Sequence, residues 1–297
     1  MKKLDFRLPN YDYVFGYDEY LGENEKQKKS IVFEKRGINT RLTDYSTILS
    51  CMYDGDENKI VKEGSYWLDK AVRGNSGYSD SLIVSLGGYN YAPINIRVVG
   101  LRPMISYSSI KDLCFDTKLC DDGIIETYFG SYPCNITEEK ISERLEEIYN
   151  YNLGIGMLDG KEYTVDKTNA YADHKRFSSL KLYEYKYGDK KFVRVPVSSY
   201  LSHSTKGVVL SDENYHGNGS FVWLEVTPHK MLVDQKNDLA IFENVILAGI
   251  QFNRKRNYNG DFNKTFMKKY LDKYFSKEIL PSTKYVDDKV KDKVKSL

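Results

Sequence analysis

Apolar residues in this chain gather mostly in short runs that stop at glycine or proline. "SIVFEKRG" at 30–37 and "SLIVSLGG" at 81–88 predict strands closed by glycine, and "NIRVVGLRPMI" at 95–105 predicts one with a proline edge. "KLYEYKYGDKKFVRVPV" at 181–197 predicts a hairpin turning at Gly188-Asp189. "FVWLEVTPHKMLVDQKNDLAIFENVIL" at 221–247 predicts strand, turn and strand, with Asn237-Asp238 in the turn.

Two stretches carry the helical period. Asn135 can cap the first, with Glu138 at the third position and Ile141, Leu145 and Ile148 on one face. The second spans about 262–276, with Phe262, Phe266, Tyr270 and Tyr274 spaced by four and Met267, Leu271 and Phe275 beside them. The pattern predicts an α+β protein, strand-rich, with two amphipathic helices. The polar segment "KDLCFDTKLCDDG" at 111–123 divides the chain into parts at 1–118 and 119–283. The charged stretch 284–297 has little to bury and reads as a flexible tail.

Composition narrows the setting. With 297 residues, 41% hydrophobic and 29% charged, the chain can bury a real core. A net charge of +2 argues against a general attraction to nucleic acid or membrane. Lys far outnumbers Arg, and Tyr, Asn and Ile are plentiful, a usage that suits a low-GC bacterium or its phage. The N-terminus "MKKLDFRLPNYDYVFG" lacks the apolar run of a signal peptide, so the chain is expected to be cytoplasmic at synthesis. No stretch approaches eighteen apolar residues, and no membrane insertion is expected. Cys51, Cys114, Cys120 and Cys134 form neither CxxC pairs nor a Cys/His spacing. Free thiols are therefore expected, with no metal and no cofactor.

The signals of catalysis are sparse. Of four histidines, His174, His203, His216 and His229, none is within helical reach of another, and the common phosphate-loop, metalloprotease and nucleophile-elbow motifs are absent. His203 and His216 share a Gly/Ser/Asn-rich segment that could carry a base or a metal, which keeps a divergent enzyme as the rival reading. Glu138-Glu139 and Glu146-Glu147 read as surface charge on the first helix. A basic stretch holds Arg254, Lys255, Arg256, Lys268 and Lys269 with aromatics between them, which leaves nucleic-acid binding open. Its aromatics follow the helical stripe and its lysines fall off it, so that reading is disfavoured.

"GSYWLDKA" with "VVGLRPMISYSSI", together with "YFGSYPCNI" at 128–136, the Trp223 strand pair and "DFNKTFMKKYLDKYFSKEI", resembles small bacterial and phage domains related to formylglycine-generating enzymes and the C-type-lectin fold. The pieces touch about half the chain, in permuted order. The redox cysteine pair, the iron-binding histidine motif and the calcium-lectin triplets of the wider group are missing at the matching places. The resemblance implies a C-type-lectin-like scaffold, in one permuted domain or two complementary halves, without the chemistry. It also implies that Trp67, Arg102 and Trp223 belong to the frame. The chain between Trp67 and Arg102 would be displayed, with Tyr78, Tyr89, Asn90, Tyr91 and Asn95 as residue types that recognition loops favour. A protein or glycan partner is expected, with virion attachment or host-factor inhibition as roles, and a homo-oligomer is allowed.

Overall fold

The computed structural model describes residues 4–16, 29–46, 64–73, 79–85, 88–94, 99–151, 162–164, 181–196, 221–247, 252–253 and 261–272. The fold is mixed α+β, built on antiparallel strands. Three strands, β1 (Tyr66–Arg73), β2 (Ser79–Ser85) and β3 (Gly88–Pro93), form one sheet in the order β1-β2-β3. Eight more form the second: β4 (Met104–Ser106), β5 (Phe115–Leu119), β6 (Ile125–Ile136), β7 (Glu162–Thr164), β8 (Lys181–Tyr187), β9 (Lys190–Pro196), β10 (Phe221–Asp234) and β11 (Leu239–Phe242).

β10 is the spine of the large sheet. Its first residues pair with β9, its last with β11, and most of its length with β6. Pro228, which has no N–H for a ladder, sits where the β6 register shifts. The extra residue opposite is Gly130, whose φ of 67° suits a residue without Cβ at a β-bulge. The second shift leaves Cys134 as the extra residue. "YFGSYPCNI" and "VTPHK" are thus two faces of one twice-bulged ladder.

Both sheets are buried on two sides where they meet. Trp67, Ile83, Ala92, Ile105, Val233 and Phe242 enter one apolar cluster, while their alternating neighbours Tyr66, Leu82, Val84, Met104, Leu232 and Ile241 enter another. The division at 118/119 falls inside β5, and one cluster joins Leu4 and Trp67 to Phe129, Met231 and Met267. That cluster draws its residues from both parts. β4 pairs with β11, Leu42 bridges Val245 and Leu101 bridges Leu247 across that division.

Gly100 is the tightest point of this junction. A Cβ there would stand 2.3 Å from Val245 Cγ1 and 3.1 Å from the Ser65 carbonyl oxygen. Its own N–H and C=O bond Ser65 and Trp67. Arg102, two residues on, is 2% exposed and lies between the rings of Phe33 and Tyr66. Its Nε donates to the Phe242 carbonyl at 2.8 Å and its Nη1 to the Tyr66 hydroxyl at 3.3 Å.

The hairpin at Gly188-Asp189 and the turn containing Asn237-Asp238 stand where the periodicity places them, and the strand expected at 81–88 runs as β2 from Ser79 to Ser85, with Gly88 already in β3. Four local expectations are corrected. "SIVFEKRG" is a helix, α2 (Ile31–Arg36), because Ser30 caps it and Asp234 accepts both the Ser30 hydroxyl and the Ile31 N–H. Residues 95–105 do not form one strand: the described part makes bridges at Gly100 and Leu101, breaks at Pro103 and resumes as β4. Asn135 caps nothing, since β6 claims its backbone through Ile136 and Thr137 N–H bonds the Trp223 carbonyl. The helix follows at Glu139–Tyr151, its first turn closed on the Glu138 carbonyl. Of the 262–276 element, residues 262–272 are described: a 3-10 turn at Phe262–Lys264 and then a helix at Phe266–Tyr270, because Asp261 and then Thr265 each cap a separate turn, while 273–276 lie outside the described residues.

The α-helices among the described residues are α1 (Tyr11–Phe15), α2, α3 (Tyr107–Ile110), α4 (Glu139–Tyr151) and α5 (Phe266–Tyr270). Glu146 of α4 is not plain surface charge. It accepts the Trp223 indole N–H and both Arg194 donors, and so pins α4 to the sheet.

Candidate recognition face

β3 ends the small sheet, and its register sets what it presents. Tyr89 pairs with Val84, Asn90 with Ile83 and Tyr91 with Leu82. Asn90 and Tyr91 are exposed, Tyr91 to 41%, whereas Tyr89 is half-buried. The Tyr89 ring meets Tyr11 edge-on at 5.5 Å and Phe15 at 5.6 Å, and touches the Tyr91 ring at 6.2 Å. Such geometry is the favoured one for aromatic pairs. The result is a row of rings leading from the core outward to Tyr91.

α1 supplies the inner end of that row, and a short polar network holds it. Asn10 Oδ1 accepts the Asp12 N–H at 2.8 Å, while Asn10 Nδ2 donates to Asp69 of β1 at 2.9 Å. Asp69 N–H in turn bonds the Pro9 carbonyl at 3.0 Å. Burial raises the Asp69 carboxyl to about 6 against the Asn10 and Tyr11 bonds, with Asp12 adding to the rise. Lys70 sets its ammonium 5.7 Å over the Tyr11 ring. The Asn90 side chain accepts the Tyr91 backbone N–H at 2.8 Å, which occupies that donor on the strand.

The structure thus brings Tyr89, Asn90 and Tyr91 together and adds Tyr11, Phe15 and Lys70, which periodicity alone does not single out. The signal for Tyr11 and Phe15 is the pair Asn10 and Gly16, the start and stop residues of a five-residue helix. Tyr78 and Asn95 lie outside the described residues, as do His203, His216, Arg254, Lys255, Arg256 and Cys51.

Lys268 does not belong to a free basic patch. Its Nζ lies 2.6 Å from both Asp5 and Asp272, with its side chain 11% exposed. Burial pulls its pKa down, but these two carboxylates hold it above the ordinary lysine value. Lys269 is exposed beside it.

His229 is the one histidine among the described residues, and it is buried between Tyr132 and Phe242. Its Nε2 has no hydrogen-bond partner there, and burial alone lowers its pKa to about 4. No open surface reaches it for acid–base work. Cys114 and Cys134 have thiols pushed up to about 11, mainly by burial, which suppresses the nucleophilic thiolate. Among the described residues no group of three His, Cys, Asp or Glu could hold a metal, and no helix is long and apolar enough to cross a membrane.

Comparison with protein-family models, with curated proteins and with solved structures returns no match to this chain in any of the three.

Proposed function

We propose that this chain is a non-catalytic binding protein that recognises a protein or glycan through Tyr89, Asn90 and Tyr91. The observation that supports it is the ring row: an exposed Tyr91 backed by Tyr89, which rests on Tyr11 and Phe15. A tyrosine held this way loses little conformational freedom on contact, which is the condition for an energetic anchor. Asn90 beside it offers an amide donor to a partner.

A C-type-lectin-like scaffold accords with this reading, as does the display of a polar, aromatic segment on a doubly buried sheet. Virion attachment or inhibition of a host factor are the roles that suit a phage-borne or mobile-element protein of this kind. The test is capture of partners from host-cell lysate and a glycan array by the wild type and by Tyr91→Ala. A partner retained by the wild type and lost by the variant supports the face. Equal capture by both, with folding intact, overturns it.

A further inference from the structure

A groove of about 640 Å³ lies between α2, the β10–β11 turn and the Gly123 turn of the β5–β6 hairpin. Its volume falls in the range of small-molecule sites, roughly 300–1,000 Å³. Its floor is Asp234, 1% exposed, whose carboxylate accepts the Ser30 hydroxyl at 2.7 Å and the Ile31 N–H at 3.2 Å. It also accepts the Asn237 backbone N–H at 3.2 Å and the Asn237 side-chain amide at 2.7 Å. With four donors engaged, Asp234 fixes the walls and is not itself available to a ligand.

The rim differs in kind. Lys29 and Lys236 line the groove, and neither makes an ion pair with the described residues. The charges nearby behave otherwise. Arg36 reaches Asp122 at 2.8 Å and Glu126 at 3.0 Å, and Lys230 reaches Glu126 at 2.9 Å and Glu243 at 3.1 Å. The network next to the groove is neutralised, and the groove keeps two ammonium groups. Glu34 and Gln235 face the same space, and Ile31 adds a half-buried apolar surface.

We infer that this groove binds a sugar carrying a carboxylate, of the uronic-acid class. The ligand carboxylate answers the two ammonium groups, its hydroxyls donate to Glu34 and bond the Gln235 amide, and its C–H face lies on Ile31. A bare oxyanion would leave the Glu34 carboxylate facing like charge with no hydroxyl to accept. A neutral sugar would leave both lysines unanswered. The site shares no residue with the Tyr89–Tyr91 face and does not depend on it.

The test is saturation-transfer NMR and titration of the full chain with D-glucuronate, glucose and sulfate, separately. Saturable glucuronate binding is expected, several-fold tighter than glucose. The double change Lys29→Gln with Lys236→Gln should weaken it about tenfold, as two partly exposed charge contacts would. Glu34→Gln should weaken glucuronate while strengthening sulfate, because the hydroxyl acceptor and the like charge are removed together. Lys236 is exposed and Lys29 half-buried, and an unchanged melting temperature confirms that the variants remain folded. Absent glucuronate binding, equal affinity for glucose, full displacement by equimolar sulfate, or an unaffected double variant would each overturn the assignment.

Discussion

The indole N–H of Trp223 on β10 donates to the Glu146 carboxylate on α4 at 2.8 Å. The same carboxylate receives Arg194 of β9 through Nη2 at 2.6 Å and Nε at 3.0 Å. The Arg194 guanidinium also lies 4.3 Å from the Tyr149 ring. One glutamate therefore fastens a helix to two strands.

Glu146→Ala leaves a buried indole N–H and a mostly buried guanidinium without their acceptor. An unmet buried donor costs about 1–3 kcal/mol, and urea unfolding of the variant should show a loss of that order. The Arg194 hydrogen bond holds the Glu146 pKa below its ordinary value, with the Trp223 indole adding to it. The folded value is depressed, so this stabilisation is present above the ordinary glutamate pKa of about 4.3 and lost as pH falls through the folded value. Glu146→Gln should flatten that acid limb.

His229 and Asp69 act in opposite directions near neutral pH. The His229 pKa falls to about 4 through burial, so from its ordinary 6.5 downward the unfolded chain takes a proton that the native state refuses. Stability is lost through that window, at up to about 1.4 kcal/mol per pH unit. Asp69 is raised to about 6 from 3.8, so over that interval the native state holds the proton and stability rises as pH falls. Relative to wild type, His229→Leu should gain stability between pH 6.5 and 5, and Asp69→Asn should lose it below pH 6. Denaturation midpoints measured at half-unit steps separate the two, and parallel curves for both variants would refute the assignment.

Gly100→Ala places a methyl against Val245 and the Ser65 carbonyl at a point where three segments meet. The backbone oxygen cannot swing aside as a side chain can. Overpacking of this kind costs about 1–3 kcal/mol, visible as a lowered urea midpoint. A neutral result would show that the β1–Gly100 bridge yields easily.

Frame and display should separate under alanine substitution. Trp67 is fully buried and meets Phe252 edge-on at 5.8 Å, so Trp67→Ala should cost about 3–5 kcal/mol. Tyr91→Ala should leave the melting temperature nearly unchanged and reduce partner binding. Tyr89→Ala should fall between, losing about 1–2 kcal/mol because its ring is half-buried on Tyr11 and Phe15. Thermal melts of the three variants check that order. Equal destabilisation by Tyr89 and Tyr91 would place both in the frame.

The elements legible in the sequence are those whose stabilising contacts are local. The Gly188-Asp189 hairpin and the Asn237-Asp238 turn carry their own turn chemistry, and β2 carries an unbroken apolar run. The face of α4 that bears Ile141, Leu145 and Ile148 shows in its 3.6-residue period, and Leu145 packs on Trp223 and Phe192. The strand-rich α+β class follows from such pieces.

Other features were settled by partners far away along the chain. "SIVFEKRG" has the composition of a strand, yet Asp234, more than two hundred residues on, captures Ser30 and Ile31 and starts a helix. Glu146 looks like solvated charge until folding delivers Arg194 and Trp223 to it. Lys268 looks like part of a basic stretch until Asp5 arrives from the opposite end of the chain. In the candidate face, the tyrosines of β3 were visible as residue types, but the split between a supported Tyr89 and an exposed Tyr91 required α1 to pack against the sheet. Local hydrogen bonds and periodicity are encoded within a few residues. The burial of a charge or a ring depends on which distant surface closes over it, and only the tertiary structure decides that.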